Sequence, residues 1–326
     1  MNTRVVLTPA AIAGGGGGHV VRCLALADAL ERAGAECQFV VEPLGAEILA
    51  RLGRHSVILA ASDERERLAT IIDASPNAVV VDDYRLDAHF EAALAGRVMA
   101  IDDLANRPHA AAIVLDSGYG RQPADYEALA PLARLLLGPE FALLREGFAG
   151  PAKPVSQRVG SVFVSFGLSD VGGIAARAVS LLRPLASGAI FDVALSADAE
   201  SLPSLRAQAA SDPGLRLHID ADVAPLMRAA DLGIGGGGGM VWERRASGLP
   251  QLVVILAENQ RPTVKRLAAD GVILAADLTG PRFEVELVEA FKHLLDPELR
   301  RALLQNPHAR CDGRGADRAA QALLAG

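Results

Sequence analysis

Two runs of five glycines are the sequence feature that most directly predicts a binding site. The first run, Gly14 to Gly18, is followed by His19, and the second run, Gly235 to Gly239, is followed by Met240. Each run joins a predicted strand to a predicted helix. Glycine lets the backbone approach a ligand closely, and the first amides of a helix attract anions. The two junctions therefore predict sites for an anionic group, although a tight turn alone would also explain one or two of the glycines.

The glycine patterns do not match the common nucleotide-binding signatures well. No lysine follows a glycine anywhere in the chain, so the P-loop is absent. Gly233, Gly235 and Gly238 formally satisfy G-x-G-x-x-G, but a run of glycines meets that pattern easily and too little chain follows for a dinucleotide-binding domain. The pair Asp220 and Asp222 resembles a metal-binding D-x-D, and we expect turn and helix capping there instead of metal.

His19 is the candidate general base. An imidazole exchanges protons near neutral pH, and the start of a helix disfavours its charged form. The alternative is that His19 only caps the helix.

Acidic and phenolic side chains follow two predicted strands, as Asp82-Asp83-Tyr84 and Asp102-Asp103. The carboxyl ends of parallel strands are where open α/β sheets hold their sites. We expect Asp82 or Asp83 to orient His19 and Tyr84 to position a substrate. Helix capping is the alternative for all four aspartates.

The elements that must hold these residues alternate between strand and helix. Continuous apolar runs of this kind are typical of a parallel sheet that is buried on both faces. Predicted strands are 4–7, 37–41, 56–59, 78–81, 98–101, 161–165, 191–195, 216–219, 232–234 and 252–256. Predicted helices are 19–34, 46–52, 66–73, 174–185, 241–248 and, in the last third, 283–303.

A Pro- and Gly-rich polar stretch from Gly147 to Arg158 is the best linker. It divides the chain into residues 1–148 and 149–326. The predicted fold class is therefore α/β, with two doubly wound Rossmann-like domains facing each other across a cleft.

Composition excludes several classes of protein. The 326 residues carry a net charge of −7 and only 4% aromatic residues, which argues against nucleic-acid binding. Apolar residues make up 51% of the chain but occur in short runs, so we expect no membrane insertion. The first residues lack the order of a signal peptide. Cys23, Cys37 and Cys311 form no C-x-x-C pair and are expected to be unpaired in a cytoplasmic protein.

Several segments, in order along residues 5 to 275, resemble the UDP-sugar hydrolases of the pseudaminic acid pathway, which are relatives of the glycosyltransferase MurG. Gly18-His19-Val20-Val21-Arg22 is similar to the G-H-x-x-R signature of that family. The other matching segments are Val81 to Tyr84, Ile101 to Leu104, Leu137 to Arg145, Ser165 to Asp170, Trp242-Glu243 and Asn259-Gln260. Three stretches depart from the family, at Pro9 to Ala11, at Val171 to Gly173 and at Gly238 to Val241, where hydroxyl and amide side chains are replaced.

The resemblance implies a GT-B fold and hydrolysis of UDP-2,4-diacetamido-2,4,6-trideoxy-β-L-altropyranose, with release of UDP and the free sugar, for flagellin and surface glycans. It gives His19 the role of base, brings Glu243 to the ribose hydroxyls and brings the backbone near Ile219 to the uracil. Substrate contacts are further expected from Gly17, Gly18, Arg22, Gly167, Gly236, Gly237, Gly238, Gly239, Met240, Asn259 and Gln260. Tyr84 and Asp83 complete the predicted catalytic set with His19, without metal or cofactor, in a monomer.

Two alternatives remain open. A GT-B glycosyltransferase would use the same donor site with an acceptor other than water. A non-catalytic nucleotide-sugar-binding protein would use the site without reaction. Sequence alone does not separate these from the hydrolase.

Overall fold

The computed structural model describes residues 3–10, 17–52, 55–60, 63–167 and 170–325. The chain divides into two compact units, one of Met1–Glu146 with Gly313–Gly326 and one of Gly147–Asp312. The junction at Gly147 coincides with the start of the predicted linker. The second predicted domain, 149–326, differs from the second unit at its end, because the last helix returns to the first unit.

The first unit is built on a parallel sheet of seven strands. The strands are β1 Arg4–Pro9, β2 Glu36–Val41, β3 Ser56–Leu59, β4 Ala78–Asp82, β5 Arg97–Ile101, β6 Ile113–Asp116 and β7 Arg134–Leu137. The helices are α1 Gly18–Arg32, α2 Pro43–Leu52, α3 Glu64–Asp73, α4 Ala88–Ala93 and, from the end of the chain, α12 Gly315–Leu324. The strand order is β3-β2-β1-β4-β5-β6-β7, so the order reverses between β1 and β4. A reversal of this kind is where doubly wound sheets bind ligands.

Successive residues of the central strands enter different cores. Ala78 and Val80 pack with helix α1, whereas Val79 and Val81 pack with residues of α3 and α4. Side chains alternate between the two faces of a sheet because the strand repeats every two residues. This alternation decides which polar residue at each strand end faces which helix.

The second unit contains a parallel sheet of six strands. The strands are β8 Ser161–Ser165, β9 Ile190–Leu195, β10 Leu215–Ile219, β11 Leu232–Gly236, β12 Gln251–Ile255 and β13 Leu274–Asp277. The helices are α5 Ile174–Leu182, α6 Leu202–Ala209, α7 Val223–Ala229, α8 Met240–Ala246, α9 Arg261–Ala269, α10 Phe283–Leu294 and α11 Pro297–Gln305. Its order, β10-β9-β8-β11-β12-β13, reverses between β8 and β11. Gly167 follows β8, and the second glycine run begins inside β11.

Helix α12 belongs to the first unit because its apolar face completes the core beside α1. Ala316, Ala319, Ala320 and Leu323 are buried there. The guanidinium of Arg32 in α1 donates to the carboxylate of Asp317 over 2.7 Å.

Three further features bear on the predictions. Cys23, Cys37 and Cys311 are thiols that are not joined in a disulfide. Within the described part of the chain, no helix combines the length and apolar character needed to cross a bilayer. Strands β6, β7 and β13 and helices α4, α6, α7, α9 and α12 were not predicted as separate elements.

Candidate active site

His19 and Arg22 meet an aspartate at the reversal point of the first sheet. They lie one turn apart at the start of α1, and Asp82 ends β4. His19 Nδ1 lies 2.7 Å from Asp82 Oδ1. Arg22 donates to the same carboxylate from Nε over 2.7 Å and from Nη2 over 2.5 Å. The carboxylate is fully buried, whereas the imidazole is 20% exposed.

Local geometry explains why these side chains converge. Gly17 precedes the helix with φ 69°, a left-handed conformation that favours glycine. Residues three apart share one face of a helix, which aligns His19 with Arg22. Asp82 has the same parity as Ala78 and Val80, so its side chain points to the α1 face of the sheet.

The protonation of this group follows from its contacts. Burial alone would raise the pKa of Asp82, but the Arg22 guanidinium and the bond to His19 hold that pKa below its ordinary value. Asp82 is therefore a carboxylate, and it accepts a hydrogen bond from Nδ1–H of His19. This fixes the tautomer that leaves the lone pair on Nε2, which is the arrangement a general base requires.

Asp83 does not contact His19, which corrects the assignment of Asp83 to the catalytic set. Its carboxylate accepts from Arg67 Nη1 over 2.8 Å and from Arg85 Nη2 over 2.6 Å. Glu42 completes this group by accepting from both arginines. The physical reason is parity, because Asp83 points to the α3 face of the sheet. Of the two aspartates, only Asp82 is placed to orient the imidazole.

Asp103 and Tyr84 extend the cluster around His19. Asp103 accepts from Arg22 Nη1 over 2.9 Å, and the Tyr84 hydroxyl donates to its other oxygen. The Tyr84 ring packs edge-on against the His19 ring, with centroids 4.9 Å apart. Burial and the neighbouring Asp103 raise the pKa of Tyr84, so its hydroxyl stays neutral. Tyr84 is thus a fixed neighbour of the imidazole with an exposed edge.

Arg22 was expected to bind substrate, and the structure shows it bound to carboxylates. Three of its nitrogens donate to Asp82 and Asp103, and its side chain is only 23% exposed. Desolvation would lower its pKa, but the two carboxylates raise it well above the ordinary value. The arrangement is that of a permanent cation that holds the two aspartates in place.

Arg107 and Tyr126, which the sequence analysis did not single out, both bind Asp102 on the other face of the sheet. Asp102 accepts from Arg107 Nη1 over 2.8 Å and from the Tyr126 hydroxyl over 2.9 Å. The Arg107 guanidinium also lies 5.6 Å from the centre of the Tyr84 ring. The alternation of side chains along a strand could have indicated this arrangement, because it directs Asp102 and Asp103 to opposite faces of the sheet.

The second glycine run has two structural parts. An added Cβ would overlap Ser165 and Arg244 at Gly235, Leu256 at Gly236 and Val264 at Gly237. These three glycines are required by packing. At Gly238 nothing comes closer than 4.0 Å, and at Gly239 nothing lies within 4 Å. Both are exposed, so their backbone is open to a ligand.

Gln260 lies beside this open backbone. Its Oε1 accepts from the Leu256 amide over 3.1 Å, which turns Nε2 toward Gly238, 4.0 Å from the position of an added Cβ. The hydrogen bond to Leu256 stabilises the turn, which is the alternative role that was considered for Gln260. The Nε2 donor of the same side chain remains beside Gly238. Asn259 is exposed on the same short turn.

The remaining predicted contacts lie at the same edge of the second sheet. Gly167 follows β8 with φ 91° and open space around it, and half-buried Ile219 ends β10. Met240 begins α8, and Glu243 is half-buried one turn later. Asp222 caps α7 by accepting from Ala224 over 3.4 Å, as the capping interpretation expected. Gly14 to Gly16, Ala11, Leu168 and Ser169 lie outside the described residues.

One other cluster has the side chains of a metal site. Atoms of Asp28, Glu31 and His55 all lie within 4.8 Å of one another. Each ring nitrogen of His55 faces one carboxylate, at 3.1 Å and 3.0 Å. Hydrogen bonding between the two ring nitrogens and the two carboxylates accounts for this geometry without a metal.

Comparisons with known proteins show the fold. No family model matches the chain, and no curated protein sequence matches it. MurG of Acinetobacter baumannii superposes with a TM-score of 0.71 at 15% identity, over 99% of this chain and 100% of that one. The spinosyn forosaminyltransferase SpnP gives 0.66 at 15% identity, over 99% and 100%. A UDP-GlcNAc 2-epimerase from Neisseria meningitidis gives 0.64 at 12% identity, over 100% of both chains. The chain therefore has the GT-B fold, and the predicted α/β class with two doubly wound sheets is confirmed.

Proposed function

We propose that the chain is a UDP-sugar hydrolase that cleaves the anomeric C–O bond of UDP-2,4-diacetamido-2,4,6-trideoxy-β-L-altropyranose in pseudaminic acid biosynthesis. The observation that carries the proposal is the His19–Asp82 pair, with Nδ1 held over 2.7 Å by a buried carboxylate. This pair supplies a base with a free Nε2 on a partly exposed ring. The identity of the sugar rests on the sequence resemblance.

The proposed reaction is a displacement at the anomeric carbon. Nε2 of His19 takes a proton from water as the water oxygen forms a bond to the anomeric carbon. The bond from that carbon to the β-phosphate oxygen breaks, and its electron pair leaves with UDP. Asp82 stabilises the imidazolium formed in this step, and Arg22 keeps Asp82 ionised. Tyr84 contacts the imidazole and is assigned to the sugar.

The diphosphate is assigned to the open backbone of Gly238 and Gly239, with the Gln260 amide beside it. Backbone N–H groups fixed in this way stabilise developing negative charge without reorganisation. Glu243 is assigned to the ribose hydroxyls and the backbone near Ile219 to the uracil, as the resemblance implies. The Neisseria epimerase, whose structure is described as bound to UDP-GlcNAc, supports a UDP-sugar as the ligand class.

A second candidate is a glycosyltransferase. MurG and SpnP share the fold along the whole chain, and the His19–Asp82 pair would deprotonate an acceptor hydroxyl as readily as water. A binding protein without activity is the third, and it would make no use of the base.

The test is UDP release from the UDP-sugar in buffer without an acceptor, with and without a chelator. The hydrolase predicts release with water alone, unchanged by the chelator, and a rate about 100-fold lower in His19→Ala at retained UDP affinity. Release that requires an added acceptor would identify the transferase. UDP binding without turnover under either condition would identify the binding protein.

A further inference from the structure

Arg244 is a fully buried cation directly beneath the second glycine run. It lies in α8 with 0% of its surface exposed. Its Nε donates to Gln251 Oε1 over 2.7 Å, and its Nη2 donates to the Gly236 carbonyl over 2.8 Å. Its Nη1 has no hydrogen-bond partner among the described residues.

The charge of Arg244 is poorly compensated. Its hydrogen bonds from Nε and Nη2 end on a neutral amide and a neutral carbonyl. Burial lowers the pKa of Arg244 to about 10, and the neighbouring Glu243 opposes that shift. The guanidinium is therefore still charged at neutral pH. A buried charge that is incompletely paired destabilises a protein, and an anionic ligand at the loop would add to the compensation that Glu243 supplies.

Two glycines of β11 make room for this side chain. An added Cβ would lie 2.8 Å from Arg244 Cδ at Gly233 and would overlap Arg244 Nη1 at Gly235. A side chain at either position would crowd the arginine, as well as Leu249 at Gly233 and the Ser165 carbonyl at Gly235, whereas Gly238 and Gly239 face open space. The Gly236 peptide lies between the two, with its carbonyl on the guanidinium.

We propose that Arg244 is the buried counter-charge for the diphosphate bound at Gly238 and Gly239, and that it acts through the Gly236 backbone without touching the ligand. The inference rests on the proposed function and extends it. The low polarity around Arg244 lets its charge reach the loop with little screening. As the anomeric C–O bond breaks, the same charge favours the electron pair that arrives on the diphosphate.

The test compares UDP with uridine in Arg244→Met and Arg244→Lys. Both variants replace the guanidinium by an unbranched chain, and only Lys keeps the charge. In Arg244→Met the preference for UDP over uridine falls about tenfold, as for one charge acting at an effective dielectric of about 20. In Arg244→Lys it stays within about twofold of wild type. Ligand-detected NMR measures both affinities, and thermal melting checks the fold.

The outcomes separate the inference from the function beneath it. A wild type that binds UDP no better than uridine would remove the proposed function itself. The role of the charge would be overturned if Arg244→Met kept the wild-type preference for UDP over uridine. It would also be overturned if both variants lost affinity equally for UDP and uridine, because packing alone would then explain the position of Arg244. Arg244→Gln, which keeps an amide donor for the Gly236 carbonyl, is the second neutral variant. If both neutral variants unfold while Arg244→Lys stays folded, the charge serves folding and the inference is wrong.

Discussion

Asp82 and Asp83 are adjacent in the chain and differ completely in their contacts. Asp82 is bound to His19 and Arg22, whereas Asp83 is bound to Arg67 and Arg85. Opposite parity at one strand end produces the difference. Each aspartate is therefore a matched control for the other.

At the residue scale, we predict that Asp82→Asn and Asp83→Asn differ in turnover, although each removes a buried carboxylate that is paired with an arginine. Asp82→Asn removes the charge that orients His19 and stabilises its protonated form, so UDP release falls about 100-fold at retained UDP affinity. Asp83→Asn leaves the imidazole untouched and deprives buried Arg67 of a charged partner, so stability falls by about 3 kcal/mol. Turnover assays and urea unfolding of both variants measure these effects. Equal losses of turnover in the two variants would contradict the role of Asp82.

The sequence left open whether Asp82 or Asp83 orients His19, and the structure places Asp82 against the imidazole. The apolar run 78–81 does not by itself reveal which face meets α1. The position of Cys23, Leu24 and Leu26 in the same core as Val80 supplies that information, and only the packed structure contains it.

At the element scale, the loop from β11 to α8 tests the diphosphate site. Gly238→Val adds a side chain where no protein atom lies closer than 4.0 Å, so the fold is retained and the new side chain blocks the ligand. We predict a loss of UDP affinity of at least about tenfold, equivalent to ~1.4 kcal/mol. Gly188→Val is the control, because its surroundings are also open and it lies in another turn. Calorimetric UDP titration that shows wild-type affinity in Gly238→Val would place the nucleotide elsewhere.

His109, which lies between β5 and β6, gives a prediction for the pH dependence of stability. Burial would lower the pKa of His109, but the Asp102 carboxylate 3.5 Å from its Nε2 and the hydrogen bond between its Nδ1 and Glu91 raise that pKa from 6.5 to about 9. A raised folded-state pKa means that the stabilisation is complete below pH 6.5 and is lost as the pH rises through about 9.

We therefore predict that the free energy of unfolding falls between pH 6.5 and 9 by roughly 1–3 kcal/mol more in wild type than in His109→Gln. Urea unfolding at the two ends of this range measures the difference. Parallel pH profiles for the two proteins would show that His109 does not hold its extra proton in the folded state.

The elements themselves were predictable to different degrees. Long apolar strands such as 161–165 follow from composition alone, because parallel strands are buried on both faces. Strand β7, Arg134–Leu137, has only four residues and was not predicted, whereas the equally short edge strand β3 was. The glycines on either side of α8 predict where the helix begins and ends. They do not predict that the Arg244 side chain lies beneath the glycine run.

At the scale of the whole molecule, the last helix crosses the predicted domain boundary. The apolar spacing of α12 indicates which of its faces is buried. It does not indicate which of the two units that face packs against. We predict that Ala320→Glu destabilises the first unit by about 3 kcal/mol, because it buries an unpaired charge beside α1. Gln321→Glu adds the same charge at the exposed neighbouring position and leaves stability unchanged within about 0.5 kcal/mol. Hydrogen exchange of β1 and α1 locates the effect, and protection unchanged by Ala320→Glu would contradict this packing.

The fold as a whole does not choose the reaction, because structures with the same fold are described as a forosaminyltransferase and an epimerase. Function belongs to the groups placed on the fold. In this chain the proposed groups are a base fixed by a buried carboxylate at one strand reversal and an open glycine backbone at another.

The most direct measurement is therefore the fate of water oxygen in the reaction. The UDP-sugar is incubated with the protein in water enriched in a heavy isotope of oxygen, and the masses of both products are measured by mass spectrometry. Attack by water activated at His19 places the heavy atom on the anomeric hydroxyl of the sugar, leaves UDP unlabelled, and fails in His19→Ala. Heavy oxygen in the phosphate, or labelled sugar formed at an undiminished rate by His19→Ala, would contradict the account.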